Sequence, residues 1–77
     1  MTTRKLKPIY VYAKLNTNNE ITDINSDIFI KDFSGWVKID VGYSDKYAHA
    51  QNNYFDKPLM SRGRYNYKYL NGKIITV

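Results

Sequence analysis

The sequence contains no cysteine and a single histidine among its 77 residues. Without cysteine the chain forms no disulfide, and the common structural zinc sites, which use thiolates, are excluded. One histidine cannot complete a metal site alone, so we expect no metal and no cofactor. A domain of this size buries only ~60% of the surface that its unfolded chain exposes. Association with another chain is the remaining common source of stability.

A long apolar run is also missing from the sequence. No apolar segment follows the basic start that contains Arg4 and Lys5, which predicts no signal peptide. No apolar run reaches the length of about 20 residues that a transmembrane helix needs. These absences predict a soluble protein without an export signal.

Tyrosine and basic charge are what the sequence has in excess. Eight tyrosines stand against three phenylalanines, and tyrosine suits half-buried sheet faces and interfaces. Residues 1–19 carry a net charge of +4 and residues 57–77 carry +5, with no acid in either range. Residues 20–56 carry seven acids against three lysines. This pattern favours oriented protein association over general nucleic-acid binding, where acids would compete with phosphate.

Alternation of apolar and polar residues predicts a hairpin in the first half of the chain. Residues 9–15 alternate with a period of two, and the asparagine-rich residues 16–20 are typical of a turn. Residues 21–25 then return as a second strand. Ile21 and Ile24 are three positions apart, which breaks the alternation and predicts a bulge or an early end to pairing.

A third strand is predicted over residues 36–41. Its alternation places Val37, Ile39 and Val41 inward, and Trp36, Lys38 and Asp40 outward. Residues 46–54 contain alanine and glutamine and are the best candidate for a short helix. We therefore expect residues 8–77 to form one small domain of mainly β class, or α+β if this helix forms, preceded by a flexible basic arm at residues 1–7.

The clearest local signal lies near the C-terminus. Asn71 and Gly72 form the dipeptide that most favours a two-residue hairpin turn, because both turn positions need a positive φ. The strand before it, residues 64–69, alternates tyrosine with polar residues, and residues 73–77 are the returning strand. Hairpins therefore dominate the predicted fold.

Candidate catalytic chemistry is sparse. His49 has no obvious nucleophile or orienting acid at a useful spacing, so a local structural role is favoured over acid–base or metal chemistry. The aspartates show no paired-carboxylate spacing. The glycines at positions 42 and 63 lack the strand–glycine–helix order of phosphate loops and are interpreted as turns. We predict that the protein is not an enzyme.

A basic group in the C-terminal hairpin leaves one alternative open. Aromatic residues with basic neighbours on a strand are used by single-strand nucleic-acid platforms. In an alternating strand, however, the tyrosines and the charges point to opposite faces, so nucleic-acid binding is the weaker hypothesis. The basic-face candidates are Arg62, Arg64, Lys68 and Lys73.

The segment from Gly35 to Tyr54, and above all its run Asp-Lys-Tyr-Ala-His-Ala-Gln at residues 45–51, carries a resemblance to a known family. It resembles a short module of phages and prophages of Gram-positive bacteria, clostridia in particular. There the module occurs as small tail-region proteins of the XkdW type and as a C-terminal piece of tail-fibre-like or baseplate-associated proteins. The resemblance implies a phage-tail context, with the protein in the bacterial host cytoplasm during assembly or in the virion tail, and supplies no catalytic residue.

The sequence therefore predicts a tail-associated structural or assembly protein that acts through protein–protein contacts and is oligomeric. A small phage-encoded inhibitor or regulator of a host protein, of the anti-defence type, remains an alternative. The aromatic stretch around the resembling motif is the expected place for contacts, although packing of these residues within the chain explains them equally well. The contact candidates are Trp36, Tyr43, Tyr47, His49, Tyr54 and Phe55.

Overall fold

The computed structural model describes residues 7–77, and the predicted arm lies outside the described residues except for Lys7. The prediction of a mainly β chain with a short helix near residues 46–54 is confirmed, with the helical stretch divided into two at His49. In chain order the elements are β1 (Ile9–Leu15), β2 (Ile21–Ser26), a 3-10 helix (Asp27–Phe29), β3 (Val37–Gly42), α1 (Asp45–Ala48), α2 (Ala50–Asn53), β4 (Met60–Ser61), β5 (Arg64–Tyr65), β6 (Tyr67–Leu70) and β7 (Lys73–Thr76).

The first three strands form an antiparallel sheet in the order β2-β1-β3. Strand β1 alternates as its sequence predicts. Val11 and Ala13 are fully buried on one face, which we call the core face. Tyr10, Tyr12 and Lys14 point to the opposite face, which we call the outer face. Both neighbours run antiparallel to β1, so β2 and β3 end at the same end of the sheet.

The predicted bulge in β2 is confirmed. The pairing register with β1 shifts between Lys14 and Leu15, where the extra residue of β2 is Thr22. The extra residue reverses the alternation, so Ile21 and Ile24 both lie in the core although they are three positions apart. The same irregularity explains why strict alternation failed to describe this strand.

A second bulge lies in β3, and it makes part of the sequence prediction wrong. The register with β1 shifts so that Tyr12 pairs with Lys38 and Val11 pairs with Asp40, which leaves Ile39 as the extra residue. Asp40 therefore faces the core side, where it was expected outward. Val41 pairs with Tyr10 and lies on the outer face, where it was expected inward.

The C-terminal part contains two hairpins rather than one. Residues 64–69 were predicted as a single strand, but the strand is interrupted at Asn66. The backbone N–H of Asn66 donates to the carbonyl of Leu59 and its carbonyl accepts from the N–H of Val77. Its side-chain amide donates to the carbonyl of Pro58 at 2.7 Å. Asn66 therefore joins the β4–β5 hairpin to the β6–β7 hairpin.

Both hairpins turn through two residues with positive φ. Asn71 and Gly72 have φ values of 52° and 76°, which confirms the predicted turn. Arg62 and Gly63 have φ values of 53° and 74° and form the equivalent turn between β4 and β5. The interpretation of Arg62-Gly63 as a turn rather than a phosphate loop agrees with this geometry.

The core lies between the core face of the sheet, the two short helices and β6. One buried cluster contains Val11, Ile24 and Ala50, and a second contains Ala13, Ile21 and Tyr67. The ring of Phe55 stacks on Tyr67 with centroids 3.9 Å apart. These contacts join the C-terminal hairpins to the sheet through apolar packing.

Candidate protein-contact surfaces

The six aromatic and histidine contact candidates divide among three environments. Tyr47, Tyr54 and Phe55 are half-buried and pack against the first core cluster. Tyr43 is 63% exposed, and His49 is also exposed. Trp36 lies beneath the ammonium of Lys14, whose Nζ is 4.9 Å from the ring centroid. The six residues therefore do not form one continuous surface.

The resembling motif folds as a cap on the sheet. The hydroxyl of Ser26, at the end of β2, is fully buried and donates to the carbonyl of Ala48 at 2.9 Å. Ala50 is buried in the first core cluster. The ring of Tyr47 lies directly over the backbone of Gly42, where a Cβ would overlap the ring. Small residues in and beside this motif thus permit close packing, and Tyr47, which was predicted as a contact residue, packs within the chain.

Asp40 and Tyr54 form the shortest side-chain hydrogen bond of the cap. The hydroxyl of Tyr54 donates to Oδ2 of Asp40 at 2.5 Å. Burial and this hydrogen bond raise the pKa of Tyr54 above its ordinary value. The other carboxylate oxygen, Oδ1, accepts from the backbone N–H of Val41 at 2.7 Å. The pair fixes α2 to β3 and holds Tyr54 in its protonated form, so it acts as a structural link.

One end of the sheet gathers exposed apolar side chains. The 3-10 helix follows β2 there, and its Ile28 and Phe29 are exposed, Phe29 to 58%. The ring of Phe29 lies 6.4 Å from that of His49. Tyr43 follows β3 at the same end of the sheet. We call Ile28, Phe29, Tyr43 and His49 the apolar end.

The outer face of the sheet carries aromatic rings that lysines partly cover. The Nζ of Lys38 is 4.7 Å from the ring centroid of Tyr10, as a cation–π pair. Tyr12 packs against Phe33 with centroids 4.9 Å apart. A shallow groove of about 310 Å³ runs along β3. Its lining residues are Tyr10, Lys38, Ile39, Asp40 and Val41.

The edge of β3 away from β1 is paired with no strand of residues 7–77. We call it the open edge. Val37 and Val41 on this strand are 40% and 46% exposed, which is high for β-branched residues in a sheet. An unpaired strand with exposed valines offers both backbone hydrogen-bonding groups and apolar area to another strand.

The basic candidates lie on the C-terminal hairpins. Arg62 and Arg64 are exposed beside a cleft of about 550 Å³, and Lys73 is exposed on β7. Lys68 is half-buried on β6 and pairs through its backbone with Glu20. The nearby ring of Tyr67 is buried and already stacked on Phe55, so it offers no face to a nucleic-acid base.

Among residues 7–77, no three histidine, aspartate or glutamate side chains come together in a group that could hold a metal ion. No helix in this part of the chain is long and apolar enough to cross a membrane. A scan against protein-family models, a search of curated proteins and a search of solved structures each found no match.

Proposed function

We propose that this chain is a small assembly protein that binds another protein through the apolar end, in the tail region of a phage or prophage. The observation that carries the proposal is the grouping of Ile28, Phe29 and Tyr43 at one end of the sheet, each more than half exposed. Small monomeric proteins rarely expose such side chains together unless another surface covers them. Tyrosine and phenylalanine are also enriched at the centres of protein interfaces.

The phage-tail context comes from the resemblance of residues 35–54 to tail-region modules. That segment supplies β3, the cap and two residues of the apolar end, Tyr43 and His49. The packing of Tyr47 and the link between Asp40 and Tyr54 hold the cap against the sheet. The motif therefore fits a segment that builds a binding surface rather than one that performs a reaction.

The test is binding of the purified chain to the purified proteins encoded by its neighbouring genes, measured by calorimetry. We expect a tail protein to bind, and Phe29→Asp to weaken that binding at least tenfold, because an aspartate would be desolvated in an apolar contact. Ile75→Asp on β7 is the matched control, since Ile75 is also exposed but lies away from the apolar end. Both variants should unfold at the same urea concentration as the parent chain.

Two results would overturn the proposal. Binding to a tail protein that Phe29→Asp and Ile75→Asp leave equally strong would remove the apolar end as the contact surface. Binding to a host enzyme or regulator, with no affinity for any tail protein, would replace the assembly role by that of a host-directed inhibitor.

A further inference from the structure

The six residues of β3 face the two sides of the sheet in a symmetric order. Val37 pairs with Ala13 and Gly42 pairs with Ile9, so both lie on the core face. Lys38 and Val41 lie on the outer face, opposite Tyr12 and Tyr10. The central residues both face the core side, because Ile39 packs in the core and Asp40 reaches Tyr54.

This order is a consequence of the bulge. A regular six-residue strand would alternate, so its two ends would face opposite sides of the sheet. The extra residue at Ile39 resets the alternation at the middle of β3. The sequence of faces from residue 37 to residue 42 is then core, outer, core, core, outer, core, which is the same in either direction.

We propose that the open edge of β3 pairs with β3 of a second copy, antiparallel, about a two-fold axis between Ile39 and Asp40. In this register every side chain lies opposite one that faces the same side, and a shift by one residue places core-facing residues opposite outer-facing ones. The symmetric, self-complementary contact is the form that most dimers use. The opposed pairs are Val37 with Gly42, Lys38 with Val41, and Ile39 with Asp40 of the second copy.

The chemistry of these pairs suits an edge contact. The exposed Val37 of the other copy would lie beside the ring of Tyr47, which covers Gly42, and the apolar stem of Lys38 can lie along Val41. A bulge and a lysine on an edge strand commonly discourage pairing with a regular strand. A second copy carries the same bulge at the matching position, so neither strand is left with an unpaired residue.

The dimer would also orient the apolar ends. Because the two β3 strands run antiparallel, the apolar ends of the two copies would point in opposite directions. If the apolar end binds a tail protein, as in the proposed function, the dimer can bridge two such partners. The dimer itself does not depend on that function.

The absence of cysteine from the natural sequence permits a direct test of the register. In the proposed dimer the Cα atoms of residue 38 and residue 41 of the other copy are about 4.5–5.5 Å apart, within the range that a disulfide spans. Residue 38 lies three positions away from its own equivalent, about 10 Å along the strand, which is too far for a disulfide. The Lys38→Cys and Val41→Cys variants are therefore mixed in a glutathione redox buffer at about 100 µM, since a short edge contact is expected to be weak.

We expect the disulfide between Lys38→Cys and Val41→Cys to exceed that of either variant alone at least fivefold by mass spectrometry. Val41→Cys mixed with Ile75→Cys is the control for random collision. Equal yields in all mixtures, or no disulfide in any, would overturn the dimer. If the selective disulfide does not form but Phe29→Asp still weakens tail-protein binding, the dimer is wrong and the proposed function stands. If the selective disulfide forms but Phe29→Asp leaves tail-protein binding unchanged, the proposed function is wrong and the dimer stands.

Discussion

At the scale of single residues, Gly42 shows how a loop signal in the sequence can have a packing cause. From the sequence, this glycine was predicted to be part of a turn after the third strand. Its φ does not require glycine, and it lies inside β3. Glycine is needed because the ring of Tyr47 occupies the space where a Cβ would be. Nothing in the spacing of residues 42 and 47 reveals this contact, since it depends on the angle at which α1 returns to the sheet.

Replacing Gly42 by alanine is expected to lower the free energy of unfolding by about 1–3 kcal/mol, the range for overpacking a well-packed site. The ring of Tyr47 must move, and it packs against the first core cluster. Urea denaturation of Gly42→Ala, Tyr47→Ala and the double variant measures the coupling. In the Tyr47→Ala background, Gly42→Ala should lower the free energy of unfolding only slightly. An equally large loss of stability in that background would show that overlap with the Tyr47 ring does not cause the destabilisation.

Some of the aromatic contact candidates pack inside the chain and others are exposed, and the chemistry of tyrosine explains why the sequence does not distinguish them. Tyrosine has an apolar ring and a polar tip, so its presence in a sequence is compatible with a core edge and with an interface. Tyr54 uses its tip to bond Asp40 inside the cap, whereas Tyr43 exposes its ring at the apolar end. Phe29, which the sequence left unassigned, shares this exposure because it follows β2 in a 3-10 helix.

At the scale of elements, sequence patterns correctly predicted the features that depend on interactions between residues close in the chain. The alternation in β1, the bulge after Ile21 and the turn at Asn71-Gly72 all depend on neighbours close in sequence. The face of the sheet on which Val41 lies was not predicted correctly, because the bulge at Ile39 arises from pairing with β1, more than 20 residues away in the chain. The division of residues 64–69 was likewise not predicted, because it depends on backbone hydrogen bonds that join Asn66 to Leu59 and Val77, which flank two different hairpins.

The C-terminal turn gives a prediction about backbone conformation alone. Gly72 has a φ of 76°, and a Cβ there would meet no atom of residues 7–77 within 4 Å. Gly72→Ala should therefore cost about 1–2 kcal/mol through left-handed strain and not through a clash. Thermal unfolding measures the loss, and Lys73→Ala, at a residue with ordinary φ on the same hairpin, is the control. Equal stability of Gly72→Ala and the parent chain would contradict the assigned turn.

At the scale of the whole molecule, the sheet and the C-terminal hairpins are connected by few but central contacts. The N–H of Tyr69 donates to the carbonyl of Asn19 at 2.9 Å, and Glu20 pairs with Lys68. The larger contribution is the burial of Tyr67 between Phe55 and the core residues Ala13 and Ile21. A small core has little stability in reserve, so loss of this ring should affect the sheet as well as the hairpins.

Tyr67→Ala is expected to destabilise the chain by about 3–5 kcal/mol, as truncation of a buried aromatic ring does. If the shared core makes folding cooperative, two probes should shift together. Fluorescence of Trp36, the single tryptophan, reports on the sheet, and amide-exchange protection of β6 and β7 reports on the hairpins. Tyr67→Phe keeps the stacked ring. It should lose less than about 1 kcal/mol of the free energy of unfolding, because it removes only the long hydrogen bond that the Tyr67 hydroxyl accepts from the backbone N–H of Lys57 at 3.4 Å. A Trp36 transition that stays in place while the hairpins lose protection would mean that the hairpins are attached to the sheet without stabilising it.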